Sequence, residues 1–307
     1  MNLRQLKYFV RVVELRNLTR AAEALHLAQP ALSQQMALLE DKLGVQLLVR
    51  GPKGVVPTVE GMLLYRHAQT ILRQVDSTRS LLTRAADQIT GSVSIGLASS
   101  TARILSLPLM QRVKAELPAI VLEIVDIPSA DLTTLVLQGR IDFSLSPDQR
   151  PMNGLMHETL LQEELLLLTP PSWHMASDKP RIAEIAKLPL ILPSPPNTLR
   201  ARVDHAFLTA GYTTNLYAEA STSAILIPAV RIGAAATILP YSAAHPEIAA
   251  GDIMAHSTEM RLSRELILCA SNSLPLTPAV RRVMELCKEE IRRLIQDGGW
   301  KSCRPLF

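Results

Sequence analysis

Nothing in the 307-residue sequence approaches the roughly 18 to 20 consecutive apolar residues that span a bilayer. The nearest stretch, Ala224 to Pro240, is broken by Pro228 and Arg231, which excludes a membrane-spanning chain. An export signal is also missing, because Arg4, Lys7, Arg11 and Glu14 interrupt the apolar positions of the first twenty residues. The expected location is the cytoplasm. Cysteine is scarce: Cys269, Cys287 and Cys303 are well separated and odd in number, which fits reduced thiols and not a disulfide frame or a zinc site. Catalytic signatures are missing too, with no GxSxG, HExxH, GxGxxG or phosphate-binding loop. The histidines (His26, His67, His157, His174, His205, His245 and His256) include no metal-spaced pair, so no metal and no cofactor is expected. An enzyme is left only with Asp126, Asp131, Asp142 and Glu158, carboxylates that a sequence cannot pair. With 48% hydrophobic and 20% charged residues, disorder and collagen-like repeats are excluded as well.

The net charge of +4 is too small to name a partner, but it is unevenly spread. Before Gly91 lie 12 basic and 7 acidic side chains, and from Gly91 onward 20 and 21. The basic excess marks the N-terminal end, where Leu3, Leu6, Phe9, Val10 and Val13 have helical spacing. Thr19 is the expected cap of a second helix through Ala21, Ala22 and Leu25. A third helix starts at Gln29-Pro30, since proline is tolerated in a first turn, and ends at Gly44. Residues 47–57, LLVRGPKGVVP, read as a small hairpin or wing.

Two helices joined by about three residues, with alanines at the crossing, make a helix-turn-helix. Leu25, Leu32 and Leu39 form its small core. Gln29, Pro30, Ala31, Ser33 and Gln34 stand at the exposed start of the second helix, where glutamine can pair with adenine in the major groove. Arg50 and Lys53 of the wing are placed to meet phosphates. From Thr58 a long helix is expected to run to about Ile89, with Leu64, Ala68, Ile71, Val75, Thr78, Leu82, Ala85 and Ile89 alternating at four and three residues, the repeat of a dimer seam. A helix packed only on its own domain is the alternative.

The run AAEALHLAQPALSQQMALLEDKLGVQLLVR, followed by Gly54, Thr58 and Gly61, resembles the LysR-type transcriptional regulators. The QPALSQQ run, the RQLKYFVRVVE opening and the GVVPT segment are most similar to the branch that contains the nitrogen assimilation control protein. Two positions depart from the family pattern: Ala28 stands where Ser or Thr usually precedes Gln-Pro, and Leu48 where the wing usually has phenylalanine. Farther on, Val136, Gly139 and Asp142 fit the family's apolar-x-x-Gly-x-x-Asp pattern. The resemblance implies an α/β protein with an N-terminal all-α winged helix-turn-helix and a two-lobed, periplasmic-binding-protein-like effector domain. Its expected divisions are residues 1–58 for DNA, 59–90 for the linker helix, and 91–307 for the effector domain, with lobe I at 91–162 and 266–307 and lobe II at 163–265. It also implies homodimers or homotetramers on double-stranded DNA, with RNA polymerase and a small-molecule effector as further partners.

In the C-terminal part strand and helix patterns alternate, with Val, Ile and Leu runs suited to a parallel sheet. Strands are expected at residues 92–98, 121–127, 142–146, 164–169, 190–192, 236–239 and 264–270. Helices are expected at 108–117, 131–137, 182–186, 199–210, 223–232 and 277–295. Hydroxyls fall where strands feed helices: Ser99, Ser100, Thr101 and Ser129 in one lobe, and Ser194, Asn197, Thr198, Ser221, Thr222 and Ser223 in the other. Such positions favour a small anion, although the same residues serve as ordinary helix caps. A regulator that needs no effector, a transporter's solute-binding protein and an enzyme are the competing functions.

Overall fold

Asn2 starts the first helix by satisfying an amide that has no partner within it. In the computed structural model Asn2 Oδ1 accepts from the Gln5 N–H at 2.9 Å, and Gln5 Oε1 accepts from the Asn2 N–H at 3.2 Å. The structure describes all residues except 52–53, 83–88, 178 and 274, and the side chains of 76, 77 and 79–82 are likewise outside the description. The chain divides into two units, Met1–Arg84 and Ala85–Phe307.

In the first unit α1 (Leu3–Leu15), α2 (Leu18–Ala24) and α3 (Gln29–Leu43) precede a hairpin of β1 (Leu48–Gly51) and β2 (Gly54–Pro57). Phe9, Val12, Ala21, Ala22, Leu32 and Leu39 are buried together, while Leu25 packs at the rim. Leu48, in place of the usual aromatic, is 2% exposed and completes this core from the wing. The cap of α2 is Asn17, not Thr19. Arg16 leaves α1 in the left-handed region at φ 51°, which sets Asn17 in the extended conformation of an N-cap, and its Oδ1 accepts from Arg20 N–H at 3.0 Å. Thr19 lies exposed in the first turn. Gly44 ends α3 at φ 67°, and Ala28 contributes no side-chain cap.

The long helix α4 (Val59–Leu82) belongs to this unit. Thr58 fixes its start: the hydroxyl accepts from Gly61 N–H at 2.9 Å and donates to the Gln46 carbonyl at 2.8 Å. Gly61 is required by packing, since a Cβ there would lie 2.0 Å from the Leu47 carbonyl oxygen. The expected extension to Ile89 is corrected at its far end, where Ile89 is not helical and is exposed; Ala85 lies outside the described residues.

The second unit runs β3 (Gly91–Leu97), α5 (Ser99–Glu116), β4 (Ile120–Asp126), α6 (Ser129–Leu137), β5 (Phe143–Pro147) and β6 (Leu155–Thr169). It continues with α7 (Ile182–Ile185), β7 (Leu190–Pro193), α8 (Thr198–Thr209), β8 (Leu216–Ala220), α9 (Ser223–Arg231) and β9 (Thr237–Pro240). A 3₁₀ turn (Tyr241–Ala243), α10 (His245–Ala250), β10 (Met254–His256), β11 (Ser263–Ser271), α11 (Pro278–Gln296) and β12 (Cys303–Pro305) complete it. The sheet is mixed, correcting the parallel expectation: β3 is parallel to β4 and β5, but β11 is antiparallel to β5 and β6. The first half of β6 pairs with β11 and the second half with β9 and β10, so β6 carries the chain from one lobe to the other. Two elements begin earlier than their patterns suggested. Helix α5 starts at Ser99 and runs through Pro108, because buried Thr101, Ile104 and Leu105 anchor the turns ahead of the proline. Strand β6 starts at Leu155, paired by β11 along residues whose alternation is weak.

Candidate nucleic-acid interface and interlobe cleft

At the start of α3, Gln29, Pro30, Ala31 and Gln34 are exposed, and Ser33 is half-buried. Arg50 of the wing donates from Nη1 to Ser33 Oγ at 2.7 Å, which ties β1 to the helix that precedes it in sequence. A second tie was not foreseen. Glu40 near the end of α3 accepts with Oε1 from both the Leu47 and Leu48 amides, at 2.8 and 3.0 Å. Gly54 matters for the same junction, because a Cβ there would lie 2.3 Å from the Arg16 carbonyl oxygen that accepts from the Val55 amide. Lys53 lies outside the described residues. Among the described residues Arg4, Lys7, Arg16, Arg20, Lys42 and Arg50 have no carboxylate partner, whereas Arg11 pairs with Glu14 at 3.2 Å.

The regular stripe of α4 is divided in its use. Leu64 packs against the core of its own unit and Ala68 is completely buried within the chain, so these two positions are already covered without a partner helix. Ile71 and Val75 are half-buried, and Thr78 is exposed with its hydroxyl donating to the Gln74 carbonyl at 2.8 Å. The side chain of Leu82 lies outside the description. On another face Val59 and Leu63, one turn apart, are 83% and 58% exposed, a pair the stripe did not include.

In the second unit a cleft of about 70 Å³ is lined by Ser99, Ser100 and Ser129 on one side and by Asn197, Thr198, Ser221 and Ser223 on the other. Helices α5, α6 and α9 present their N-termini here, and their capping residues Ala98, Pro128 and Thr222 make no side-chain cap hydrogen bond. Three expected ligand residues do not line the cleft. Thr101 is completely buried, because successive helical side chains turn about 100° and the third position of α5 faces inward. Ser194 is half-buried beside β7, where its amide donates to the Ala220 carbonyl at 3.3 Å. Thr222 is the N-cap of α9, in extended backbone, and its neighbours Ser221 and Ser223 face the cleft instead.

Arg264 forms part of the cleft wall and is itself 4% exposed. It donates from Nε and Nη2 to Glu163 Oε2 at 3.0 and 2.8 Å. The other oxygen of Glu163, which is 0% exposed, accepts from the Ser242 amide at 3.1 Å and from Trp300 Nε1 at 2.9 Å. Such a charge can stay buried because its lone pairs are filled. Two further pairs connect the lobes: Arg103 of α5 with Glu247 of α10 at 2.6 Å, and Arg202 of α8 with Asp148 beyond β5 at 2.6 Å.

Three of the four carboxylates of an enzyme reading are already engaged by other groups. Asp126 accepts from the Ser99 hydroxyl at 2.6 Å, Asp142 from the Ser94 amide at 2.8 Å, and Glu158 pairs with Lys288 at 2.6 Å. Asp131 sits in the first turn of α6. Burial pushes all three thiols, Cys269, Cys287 and Cys303, up to about 12, so they stay protonated and unreactive near neutral pH. Among the described residues no group of three or more His, Cys, Asp and Glu side chains could hold a metal ion, and no helix is long and apolar enough to cross a membrane.

Comparison with known proteins gives this geometry its family. Residues 3–62 match the bacterial regulatory helix-turn-helix proteins of the lysR family, and residues 86–292 match the LysR substrate binding domain. The chain belongs to the LysR family of transcriptional regulators. It is 36% identical to the nitrogen assimilation regulatory protein nac of Klebsiella aerogenes over 295 residues, covering 95% of this chain and 96% of the relative. The nac protein of Escherichia coli K12 is 37% identical, covering 93% of this chain and 94% of its own. Full-length CbnR, solved in complex with its target DNA, is 25% identical with a TM-score of 0.71, covering 94% of this chain and 100% of that one.

Proposed function

We propose that this LysR regulator reads DNA with the start of α3, acts without catalytic turnover, and assembles as a dimer through α4. The observation that carries the reading is the exposed Gln29, Pro30, Ala31 and Gln34 at a helix start held against a wing by the Arg50–Ser33 hydrogen bond. Gln29 and Gln34 have donors and acceptors for base edges, while Thr19, Arg50 and Lys53 serve the phosphates. In the seam Ile71, Val75 and Leu82 carry the contact, joined by Val59 and Leu63, whose exposure calls for cover. Leu64 acts indirectly, by holding α4 to its own unit, and Ala68 is already buried within the chain. RNA polymerase is the partner through which bound protein acts on transcription. The test is titration of operator and scrambled DNA, with sedimentation of the protein alone. Loss of discrimination in Gln29→Ala and of dimers in Leu82→Asp is expected. Unchanged discrimination in the first variant would overturn the reading-helix assignment.

The cleft supports modulation by a small anionic metabolite, since three helix N-termini without side-chain caps meet around Ser99, Ser100 and Ser129. Its volume of about 70 Å³ is well below the few hundred Å³ of ordinary ligand sites, so the lobes must part to admit such a ligand. The same small volume favours a second reading, in which occupancy of DNA follows only the amount of protein. Carboxylates and amino acids added to the operator titration separate the two. A ligand-dependent shift that Ser129→Ala weakens supports the first, and indifference to a wide panel supports the second.

A further inference from the structure

A much larger recess lies in the second unit away from the cleft. It measures about 870 Å³ and is bordered by three chain segments, residues 257–263, residues 302–304 and the part of β6 around Gln162 and Glu164, with Lys179 alongside. The two recesses are on opposite faces of the strands that join the lobes. Side chains alternate along a strand, so Gln162, Glu164 and Ser263 face one way while Glu163 and Arg264 face the other. Arg264 borders the cleft and the first three border the groove.

The groove is built, and its charge is not spent. Arg304 of β12 lies opposite Gln162 of β6, and its Nε donates to Gln162 Oε1 at 2.9 Å. Gln162 Nε2 in turn donates to Ser263 Oγ at 2.9 Å, which fixes the guanidinium from behind and leaves its outer nitrogens facing away from that bond. Arg261 stands in the left-handed region at φ 48°, in a turn where its amide donates to the Thr258 carbonyl at 3.3 Å. A bulky residue in that conformation costs energy, and such strain gathers at binding sites. Neither Arg261, Arg304 nor Lys179 has a carboxylate partner among the described residues, although Glu164 and Glu259 border the same groove. Glu164 is held by the Ser257 hydroxyl at 3.1 Å. Thr258, also in the lining, is 3% exposed and its hydroxyl has no partner among the described residues. Three cations without a carboxylate partner among the described residues, around a groove of this size, call for a ligand with several oxyanions, and the two carboxylates suit hydroxyl groups on the same molecule.

We propose that this groove is a second small-molecule site, for a hydroxylated polyanion of the tricarboxylate or phosphorylated class, with Arg261, Arg304 and Lys179 taking the oxyanions and Glu259 a hydroxyl. The full chain, titrated calorimetrically with citrate and separately with inorganic phosphate at fixed ionic strength, tests it. Saturable citrate binding is expected, weakened about tenfold in Arg261→Ala or Arg304→Gln by loss of a charge-assisted bond, and unchanged in Ser129→Ala of the cleft. Tighter citrate than phosphate binding identifies the tricarboxylate source, and the reverse identifies the phosphorylated one. Glu259→Gln keeps an acceptor for the hydroxyl while removing the charge that repels the oxyanions, and should tighten binding several-fold, a gain that misfolding cannot mimic. Absence of binding for both probes at 20-fold above millimolar concentrations, affinity indifferent to Arg261→Ala and Arg304→Gln in variants of native circular dichroism, or loss of binding in Ser129→Ala would each overturn the second site.

Discussion

The two units treat their charges in opposite ways. In Met1–Arg84 the basic side chains on α1, α2 and β1 are left without carboxylate partners among the described residues, apart from the Arg11–Glu14 pair on one face of α1. In Ala85–Phe307 Arg103, Arg112, Arg200, Arg202, Arg264 and Arg282 are all tied to carboxylates. A phosphate backbone can draw only on charges that the fold has not already neutralised. The first unit therefore addresses a polyanion, while these six arginines of the second unit hold helices and lobes together. Around the groove Arg261 and Arg304 resemble the first unit's cations, in having no carboxylate partner among the described residues.

The largest effect that would break this contrast is removal of one partner of the buried pair. Glu163→Ala leaves Arg264 charged and unpaired in the interior, and should cost about 3 to 5 kcal/mol in chemical denaturation. Replacing both by apolar residues, Glu163→Leu with Arg264→Met, should recover much of that loss, because no charge is then stranded. A single variant as stable as the parent would show that the buried pair contributes nothing to the fold. In the first unit the matching effect is on recognition: Gln29→Ala should lower the free-energy difference between operator and scrambled DNA by about 1 to 3 kcal/mol, with folding stability unchanged. Equal losses on both DNAs would assign Gln29 to the backbone instead.

Smaller effects sharpen the comparison. Arg50→Ala should weaken binding to every sequence and reduce the slope of affinity against salt by roughly one, as expected for a single phosphate contact. Ser33→Ala deletes the acceptor that orients Arg50, so an intermediate loss with an unchanged salt slope is the expected result in the same titrations. The smallest effect is on acid stability. Burial, followed by the nearby Arg103 charge, lowers the pKa of His245 below its ordinary 6.5, so the unfolded chain binds the proton more readily. The neutral histidine's contribution is whole above pH 6.5 and is lost as pH falls from there through the lowered value. His245→Gln should accordingly flatten the fall in melting temperature between pH 7 and pH 5, and an identical profile would show that another group governs it.

Much of the first unit was legible before the structure, because its signals are local. Pro30 and Gly44 bound α3 by fixed rules of backbone geometry, and the turn residues of the wing enforce a hairpin whatever surrounds it. Thr19 was misread where two good capping residues stand two positions apart, and only the left-handed Arg16 decides for Asn17. The seam of α4 was legible as a periodicity but not as a use, since spacing does not tell a partner helix from the helix's own core. Ala68 is buried within the chain and Val59 is left out in solvent.

In the second unit most of the order of strands and helices could be read, while β8, α10, β10, β12 and the edges of α5 and β6 could not. Pro108 looks like a helix start although it sits inside one, and β6 lacks clean alternation because its residues change neighbours from β11 to β9 partway along. Of the polar residues named at the strand ends, Ser99, Ser100, Ser129, Asn197, Thr198, Ser221 and Ser223 line the cleft, whereas Thr101, Ser194 and Thr222 do not, because one residue along a helix or cap turns a side chain away.

By itself, then, the sequence determined what depends on neighbours within a few positions: the helix-turn-helix, the wing, the cap at Thr58, the inert thiols' lack of a paired spacing, and with them the family. Tertiary structure alone decided what depends on residues far apart in the chain. It joined Glu163 to Arg264, Ser242 and Trp300, narrowed the cleft to about 70 Å³, and gathered Arg261 and Arg304 around a separate groove. The physical reason is that backbone preferences act over a turn or two, whereas the partners that desolvate or neutralise a charge are supplied by whichever strands the fold brings alongside it.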